Sequence, residues 1–590
     1  MHCLLSRCMM LVNNKRMSNL RLVISEEVIM HGIARVLSGE NSFHAELRMA
    51  RNRVPVLRSE EGPKPLQLQA RLVGGVIDVM QFESGGSVYT LFGCRTNYEE
   101  CYPEFVLTGQ HETSAAELRL RKVRCYVDDV RSWFLVGGAT KVTEAGLEYQ
   151  SGFRSVTAMT IGDQVQMSVS VRNSVTLSHE SDRKVLDERV WIDCLFEDNG
   201  INLKKVPELA GDIRTLLTCL IGFPVVVDTV ITFFSDEESS RGHFVYYATY
   251  VTPREFDGAH FGLISYRSLQ DKDLWERVVG NYFRSGAGMR KAWGGLYGLL
   301  TYDDIWDFKI LGVVAALEKY AKTHVRVSTV TVEPAIRKRA KGALREALQQ
   351  VWSQYRDTEQ YTKDHERVLD QTLDAINHYR CEASHSLMDW TAATLDRIDT
   401  KVRTVLDFAP GDLALLKGLR DRIAHGADLE LDQQTVGKVA TLESKVILLL
   451  LYLANHELGV TDMDFIRNLH RSLNQYRTNS GLNNVALDRY SEDVTFVVID
   501  QHAVDVVKER RYHSVVLERE SAEMVLRLNK EKTEAFQDYH LDLKGFRTLT
   551  DYVRSLYGGD ETLTIEFRGS GYLETRDHAE LAKVHVIVEV

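Results

Sequence analysis

"LLKGLRDRIAHGADLEL", residues 415–431, holds an arginine, an acidic residue beside it, and a histidine five places after the arginine, followed at once by glycine. With the preceding "PGDLA" it reads as a helix with Asp412 as N-cap and Gly426 as C′ residue. Five residues along an ideal helix turn through about 140°, so Arg420 and His425 cannot face one way if both lie mid-helix. The helix is therefore expected to end between them, and Gly426 supplies the reason. The spacing alone is weak. With 72 Lys+Arg and 19 His in the chain, about one or two such pairs arise by chance, and Arg380 with His385 in "YRCEASH" is a second instance. Context separates them: the second pair has Cys381 after its arginine and continues helically past His385.

The 590 residues predict several domains. The densest apolar run, "VILLLLYLA", is about half the length a membrane span needs and is expected to be a buried helix. A formal charge of −11 gives no general attraction to nucleic acid, so an RNA site has to be a local basic patch. The eight cysteines (Cys3, Cys8, Cys94, Cys101, Cys125, Cys194, Cys219, Cys381) are scattered without a CxxC pair. Reduced thiols in a cytoplasmic protein are expected, with no metal site. Cys94 with Cys101, or Cys381 with His385, have the chemistry of half a zinc site but lack a second pair. Residues 1–16 have neither a basic leader nor a small-residue cleavage site, and are expected to be a disordered leader or a start artefact.

Residues 17–285 read as a β-rich region with one inserted helix. "SVYTLFGCRT" and "AAELRLRKVRCYV" alternate, glycine pairs at 74–75 and 85–86 mark turns, and "TAMTIGDQVQMSVSVRN" reads as a hairpin about Gly162 and Asp163. "VPELAGDIRTLLTCLIGFPVVV" is helical until Gly222 and Pro224 stop it. Residues 286–460 change texture to an all-α bundle of about five helices, with one long helical stretch from about Asp364 to Phe408. The last bundle helix is apolar enough to be central or at a subunit interface. "RKRAKGALR", 337–345, is expected to be a solvated helix face, with an RNA-backbone track as the alternative. Residues 461–590 read as an α+β extension with strands "DVTFVVID", "ETLTIEFRG" and "KVHVIVEV" around a helical "SAEMVLRLNKEKTEAFQDYH". The fold class is thus multidomain α+β: a β-rich N-terminal half, a helical bundle and an α+β C-terminal appendage.

A helical bundle whose penultimate short helix ends in "RDRIAHG" resembles the HEPN superfamily, whose ribonuclease members carry arginine, a polar residue, a few more residues, then histidine. Arg420, Asp421 and His425 match that pattern. The order of a β-rich half with "GGVIDVMQFESGGSVYTLFGCRTN" and "VRCYVDDVRSWF", a helix ending "LIGFPVVV" and then the bundle is similar to the ApeA type of bacterial anti-phage HEPN protein over about residues 20–460. That resemblance implies an endoribonuclease with no cofactor, RNA as substrate, a phage-derived trigger, and a composite cleft built by two facing copies of the motif in a homodimer or higher homo-oligomer.

The chemistry suits those residues. RNA is cut without metal when its 2′-hydroxyl attacks the adjacent phosphorus. Histidine moves protons near working pH and arginine matches phosphate oxygens with two parallel hydrogen bonds. At a helix C-terminus the dipole favours the imidazolium form of His425. Asp421 is expected to orient Arg420 or a partner's histidine, with Lys417 and Arg422 as RNA contacts. The competing reading is a non-catalytic HEPN dimerisation or binding module whose β-rich half receives a ligand or protein. Nucleotidyl transfer is disfavoured because no glycine-rich phosphate loop with paired acidic residues stands out.

Overall fold

The computed structural model describes residues 27–589 apart from 38–41, 51–52, 63–74, 98–99, 135–139, 144–145, 150–154, 162–164, 181–182, 198–199, 228, 236, 238–239, 249–255, 257, 272–273, 302–305, 326–332, 357, 359, 379–386, 427–430, 520–525, 538–547 and 579. The leader 1–16, Cys3, Cys8, the turn at Gly162 and Asp163, and the pair Arg380 and His385 with Cys381 lie outside the described residues. Two compact units emerge. The first gathers Met1–Asp304, Thr400–Asp407 and Ala440–Val590, and the second gathers Ile305–Asp399 and Phe408–Val439.

The N-terminal half is built on antiparallel strands β1 (Val28–Val36), β2 (Ser42–Met49), β3 (Val56–Ser59), β4 (Val76–Ser84), β5 (Ser87–Asn97), β6 (Glu100–Tyr102) and β7 (Phe105–Thr108). The order β5-β4-β1-β2-β3-β6 returns to β5 through the pairing of Arg95 with Tyr102, which closes a barrel. Alternation dictates its filling: Phe43, Ala45, Leu47 and Met49 of β2 point inward, where they meet Leu57, Met80, Phe82 and Leu91. Gly85 and Gly86, at φ +57° and +77°, make the two-residue β4–β5 turn, a conformation that side chains with a Cβ resist. Cys94 and Cys101 are fully buried among the barrel residues, and burial pushes the Cys94 thiol well up from its ordinary value.

From β7 the sheet runs on through β8 (Lys122–Tyr126), β9 (Ser155–Ile161), β10 (Val165–Glu180), β11 (Arg183–Phe196), β12 (Thr229–Phe233) and β13 (His243–Tyr246), in the order β7-β13-β12-β8-β11-β10-β9. The expected hairpin is present: Ile161 pairs with Val165. Helix α1 (Val206–Ile221) ends at Gly222, φ +67°, as its sequence predicts.

Eight helices follow between Ala287 and Glu457 among the described residues, more than the five expected. After α2 (Leu274–Arg284) come α3 (Ala287–Thr301), α4 (Trp306–His324), α5 (Pro334–Arg356), α6 (Lys363–His378), α7 (Leu387–Leu395), α8 (Thr400–Leu406), α9 (Asp412–Ala424) and α10 (Gln433–Glu457). They are shared between the units: α3 and α8 fall in the first, α4 to α7 and α9 in the second, and α10 passes from the second to the first at Ala440. The single long helix expected over 364–408 is broken, with a turn at 396–399 before α8. Helical spacing persists on both sides of the turn, with Thr391 and Thr394 buried before it and Val402 and Val405 after it, so sequence spacing alone does not reveal the break.

Residues 446–453 of α10 are all buried, and Asn455 donates to the Cys219 carbonyl of α1 at 2.8 Å. The apolar run is therefore a core element of the first unit. Its hydrophobicity is satisfied within the chain, which removes it as an argument for a subunit interface.

The chain ends in α11 (Asp462–Arg471), α12 (Gln475–Asn479), α13 (Asn484–Ser491), α14 (Gln501–Arg510), α15 (Lys530–Gln537) and α16 (Leu549–Leu556). These accompany a five-stranded sheet of β14 (Thr495–Val498), β15 (Ser514–Arg519), β16 (Leu526–Leu528), β17 (Glu566–Glu574) and β18 (Leu581–Glu589). "SAEMVLRLNKEKTEAFQDYH" is not helical throughout: residues 526–528 form β16, and the helix begins only at Lys530. The α+β character of this extension, the β-rich first half and the helical middle agree with the architecture read from sequence. Among the described residues no helix is long and apolar enough to cross a membrane.

Candidate functional site

Helix α9 carries the motif. It packs on α4 and α7, with Leu416 and Leu419 buried. Its N-cap is Gly411, not Asp412: the Asp412 carboxylate reaches backward and accepts the Ala409 N–H at 2.9 Å. An aspartate at the first helical position serves the same terminus, since its charge lies near the positive end of the dipole.

The C-terminal end falls where the spacing requires. Ala424 is the last helical residue, His425 is the C-cap at φ −93°, ψ 6°, and Gly426 takes φ +67° with open space around it. The His425 N–H donates back to the carbonyls of Asp421 and Arg422, at 3.1 and 3.2 Å. Its imidazole is exposed and makes no hydrogen bond or ion pair among the described residues.

Arg420, by contrast, is engaged. Its Nη1 donates to Asp421 Oδ1 at 2.8 Å and its Nη2 lies 3.7 Å from Glu318 Oε2 on α4. Lys417 donates to the other Asp421 oxygen at 3.2 Å, and Lys322 reaches Glu318 at 2.5 Å. Five groups of alternating sign thus run Lys322, Glu318, Arg420, Asp421, Lys417 across two packed helices. The hydrogen bond from Arg420, followed by that from Lys417, holds the Asp421 carboxyl below its usual range. The Asp421 bond likewise raises the Arg420 guanidinium. With Arg420 38% exposed and Asp421 36%, these pairs orient the guanidinium more than they stabilise the fold.

The structure therefore joins Arg420, Asp421 and Lys417 into one cluster and leaves His425 and the exposed Arg422 beside it. No hydrogen bond or ion pair links Arg420 to His425 among the described residues. Glu318 and Lys322 are the members that sequence reasoning missed, because Glu318 lies 102 positions before Arg420, Lys322 is one turn further along the same helix, and no local signal marks either. Among the described residues no group of three or more His, Cys, Asp or Glu is placed to hold a metal ion. Chemically the arrangement offers a guanidinium oriented by a neighbouring carboxylate and, at the end of the same helix, an exposed imidazole.

Comparison with protein-family models, with curated proteins and with solved structures gave no match.

Proposed function

We propose that the chain is a metal-independent endoribonuclease of bacterial anti-phage defence, and that its cleft is completed by a second copy. What supports this reading is the end of α9: an exposed histidine at the cap, one turn beyond an arginine held in a fixed direction by the carboxylate next to it. In this reading the substrate 2′-hydroxyl loses its proton to an imidazole as its oxygen bonds to phosphorus. The bond from phosphorus to the 5′-oxygen then breaks, and that oxygen takes a proton. The products are a 2′,3′-cyclic phosphate and a 5′-hydroxyl. Arg420 binds the non-bridging oxygens, where a cation aimed at developing charge contributes a few kcal/mol. A phosphate must take the place of Glu318, the longer of the two contacts.

That same contact favours a second reading. An arginine satisfied by two carboxylates has no need of RNA, which suits a non-catalytic HEPN dimerisation or binding module. Purified protein incubated with total bacterial RNA in EDTA decides between them. The nuclease reading expects cleavage with cyclic phosphate ends, lost by at least about 10² in His425→Ala and spared when Arg380 and His385 are both replaced by alanine. Wild-type protein that leaves RNA intact, or that cuts only with magnesium, refutes it. Light scattering that shows a fully active monomer refutes the shared cleft.

A further inference from the structure

Helix α5 (Pro334–Arg356) is 23 residues long, about 34 Å, yet none of its residues is buried. A helix of this length owes most of its stability to an apolar face covered by a neighbour. One face has such a neighbour. Arg337, Lys341, Leu348, Trp352 and Tyr355 are half-buried and mark the side turned to α6, where Lys341 donates to the Asn377 carbonyl and Trp352 and Tyr355 meet the His365 ring.

A second face is bare. Ile336, Ala340, Ala343, Leu344, Ala347 and Val351 are all exposed, the three large ones at 56%, 48% and 64%. At 3.6 residues per turn these six positions fall within roughly 100° of arc, a continuous apolar stripe beside the face that α6 covers. The stretch 337–345, read from sequence as a solvated helix face, thus contains part of an apolar surface as well.

The stripe identifies its own occupant. Read from either end it has the same spacing and nearly the same sizes: a β-branched residue at each end, an alanine one turn in, and Ala343 with Leu344 at the centre. A two-fold interface requires that when residue i meets j, j also meets i, and a helix face that reads alike in both directions meets this condition with its own copy run antiparallel. An axis between Ala343 and Leu344 sets Ile336 against Val351 of the second copy and Ala340 against its Ala347. The alanines let the two helix axes approach to about 8 Å.

Charge favours the same arrangement. The flank of the stripe away from α6 carries Arg339 and Glu346, two turns apart, both exposed and neither in a hydrogen bond or ion pair among the described residues. In an antiparallel pair this flank meets its own equivalent, so each Arg339 comes beside the Glu346 of the other copy. A parallel pair would instead stack Arg337, Lys338, Arg339, Lys341 and Arg345 of both copies at one end. We infer that α5 is a self-association surface, its exposed stripe pairing antiparallel with α5 of a second copy of this chain and flanked by two Arg339–Glu346 ion pairs. The inference goes beyond the shared cleft proposed at the end of α9 and does not rest on RNA cleavage.

The test is sedimentation velocity of the full chain at about 50 µM, where a dimer is expected. Arg339→Glu and Glu346→Arg should each weaken it at least about tenfold, and the two changes together should restore it. Leu344→Glu should leave a monomer whose circular dichroism matches the wild type; if that variant does not fold, the charge exchange decides. Cysteines read the register under mild oxidation, with the wild type as control for the native thiols. Ala343→Cys should link to itself across the axis, whereas Ile336→Cys and Val351→Cys should link when mixed and not alone. The proposal is overturned by a monomeric wild type, by a charge exchange that fails to restore the dimer, or by Ile336→Cys that links to itself. A dimer that persists in folded Leu344→Glu overturns this surface while leaving the shared cleft at α9 standing.

Discussion

Replacing Asn474 by alanine should loosen the junction where α1 ends, and the structure fixes by how much. Asn474 is 2% exposed and its Nδ2 reaches the carbonyls of Phe261, Gly222 and Ile221 at 3.1, 3.2 and 3.3 Å. Its Oδ1 caps α12 by accepting the Tyr476 N–H at 3.0 Å. The Ile221 carbonyl keeps the Leu263 N–H at 2.8 Å after the substitution, so the Gly222 and Phe261 carbonyls lose their donor. Two buried acceptors left short cost about 1 kcal/mol each, and the lost cap about 1 more, for a total of about 3 kcal/mol. A single unfolding free energy is poorly defined for a chain of two units, so the assay is native-state hydrogen exchange. Protection of the Gly222 amide, which donates to Thr218 at 2.8 Å, should fall by about 10². Asn474→Asp, which keeps the acceptor but turns a carboxylate toward these carbonyls, should be worse at neutral pH. A fall of less than about threefold in the alanine variant would refute the assignment of Asn474 as the bond that holds these three segments.

Three further outcomes are expected. Arg420→Lys should recover little of the cleavage lost in Arg420→Ala, because an ammonium cannot reproduce two parallel bonds, while the thermal midpoints of both match the wild type; robust cutting by the lysine variant would break the phosphate-ligand role. Asp212, on α1 beside Tyr282 and Arg290, is pushed up to about 6 by burial, against the opposing pull of Arg290. A carboxyl raised in the folded state gives stability that is complete below its unfolded value and is lost as pH climbs to about 6, here on the order of 3 kcal/mol, so hydrogen-exchange protection around Tyr282, taken relative to the intrinsic rate at each pH, should fall from pH 4 to pH 6 and Asp212→Asn should flatten that slope. Burial lowers both His111 and His243, whose rings stand 5.1 Å apart. For a depressed histidine, stability is present above the unfolded value near 6.5 and lost as pH falls through the folded one, so acidification should loosen the β7–β13 pairing, and His243→Asn, able to keep the bond to the Thr108 carbonyl, should reduce the effect.

Much of the local structure was legible in the chain. The barrel strands announce themselves because one side of each faces a core and the other does not, which writes period two into the residues of β2. The end of α9 was legible because a helix stops where glycine takes a positive φ, and Gly426 does. Sequence alone also placed α1 and its stop at Gly222. What it left undetermined depends on partners distant along the chain. That the apolar run of α10 is buried within the first unit, and not at a subunit interface, was decided by contacts with segments such as α1, more than 200 residues earlier. That Arg420 sits between two carboxylates depended on Glu318 arriving from α4. That β14 is an edge depended on which strands the sheet recruited. Propensity and periodicity act over a few residues and can be read one stretch at a time, whereas ion pairs, burial and strand order belong to pairs of stretches, and only the folded chain brings those together.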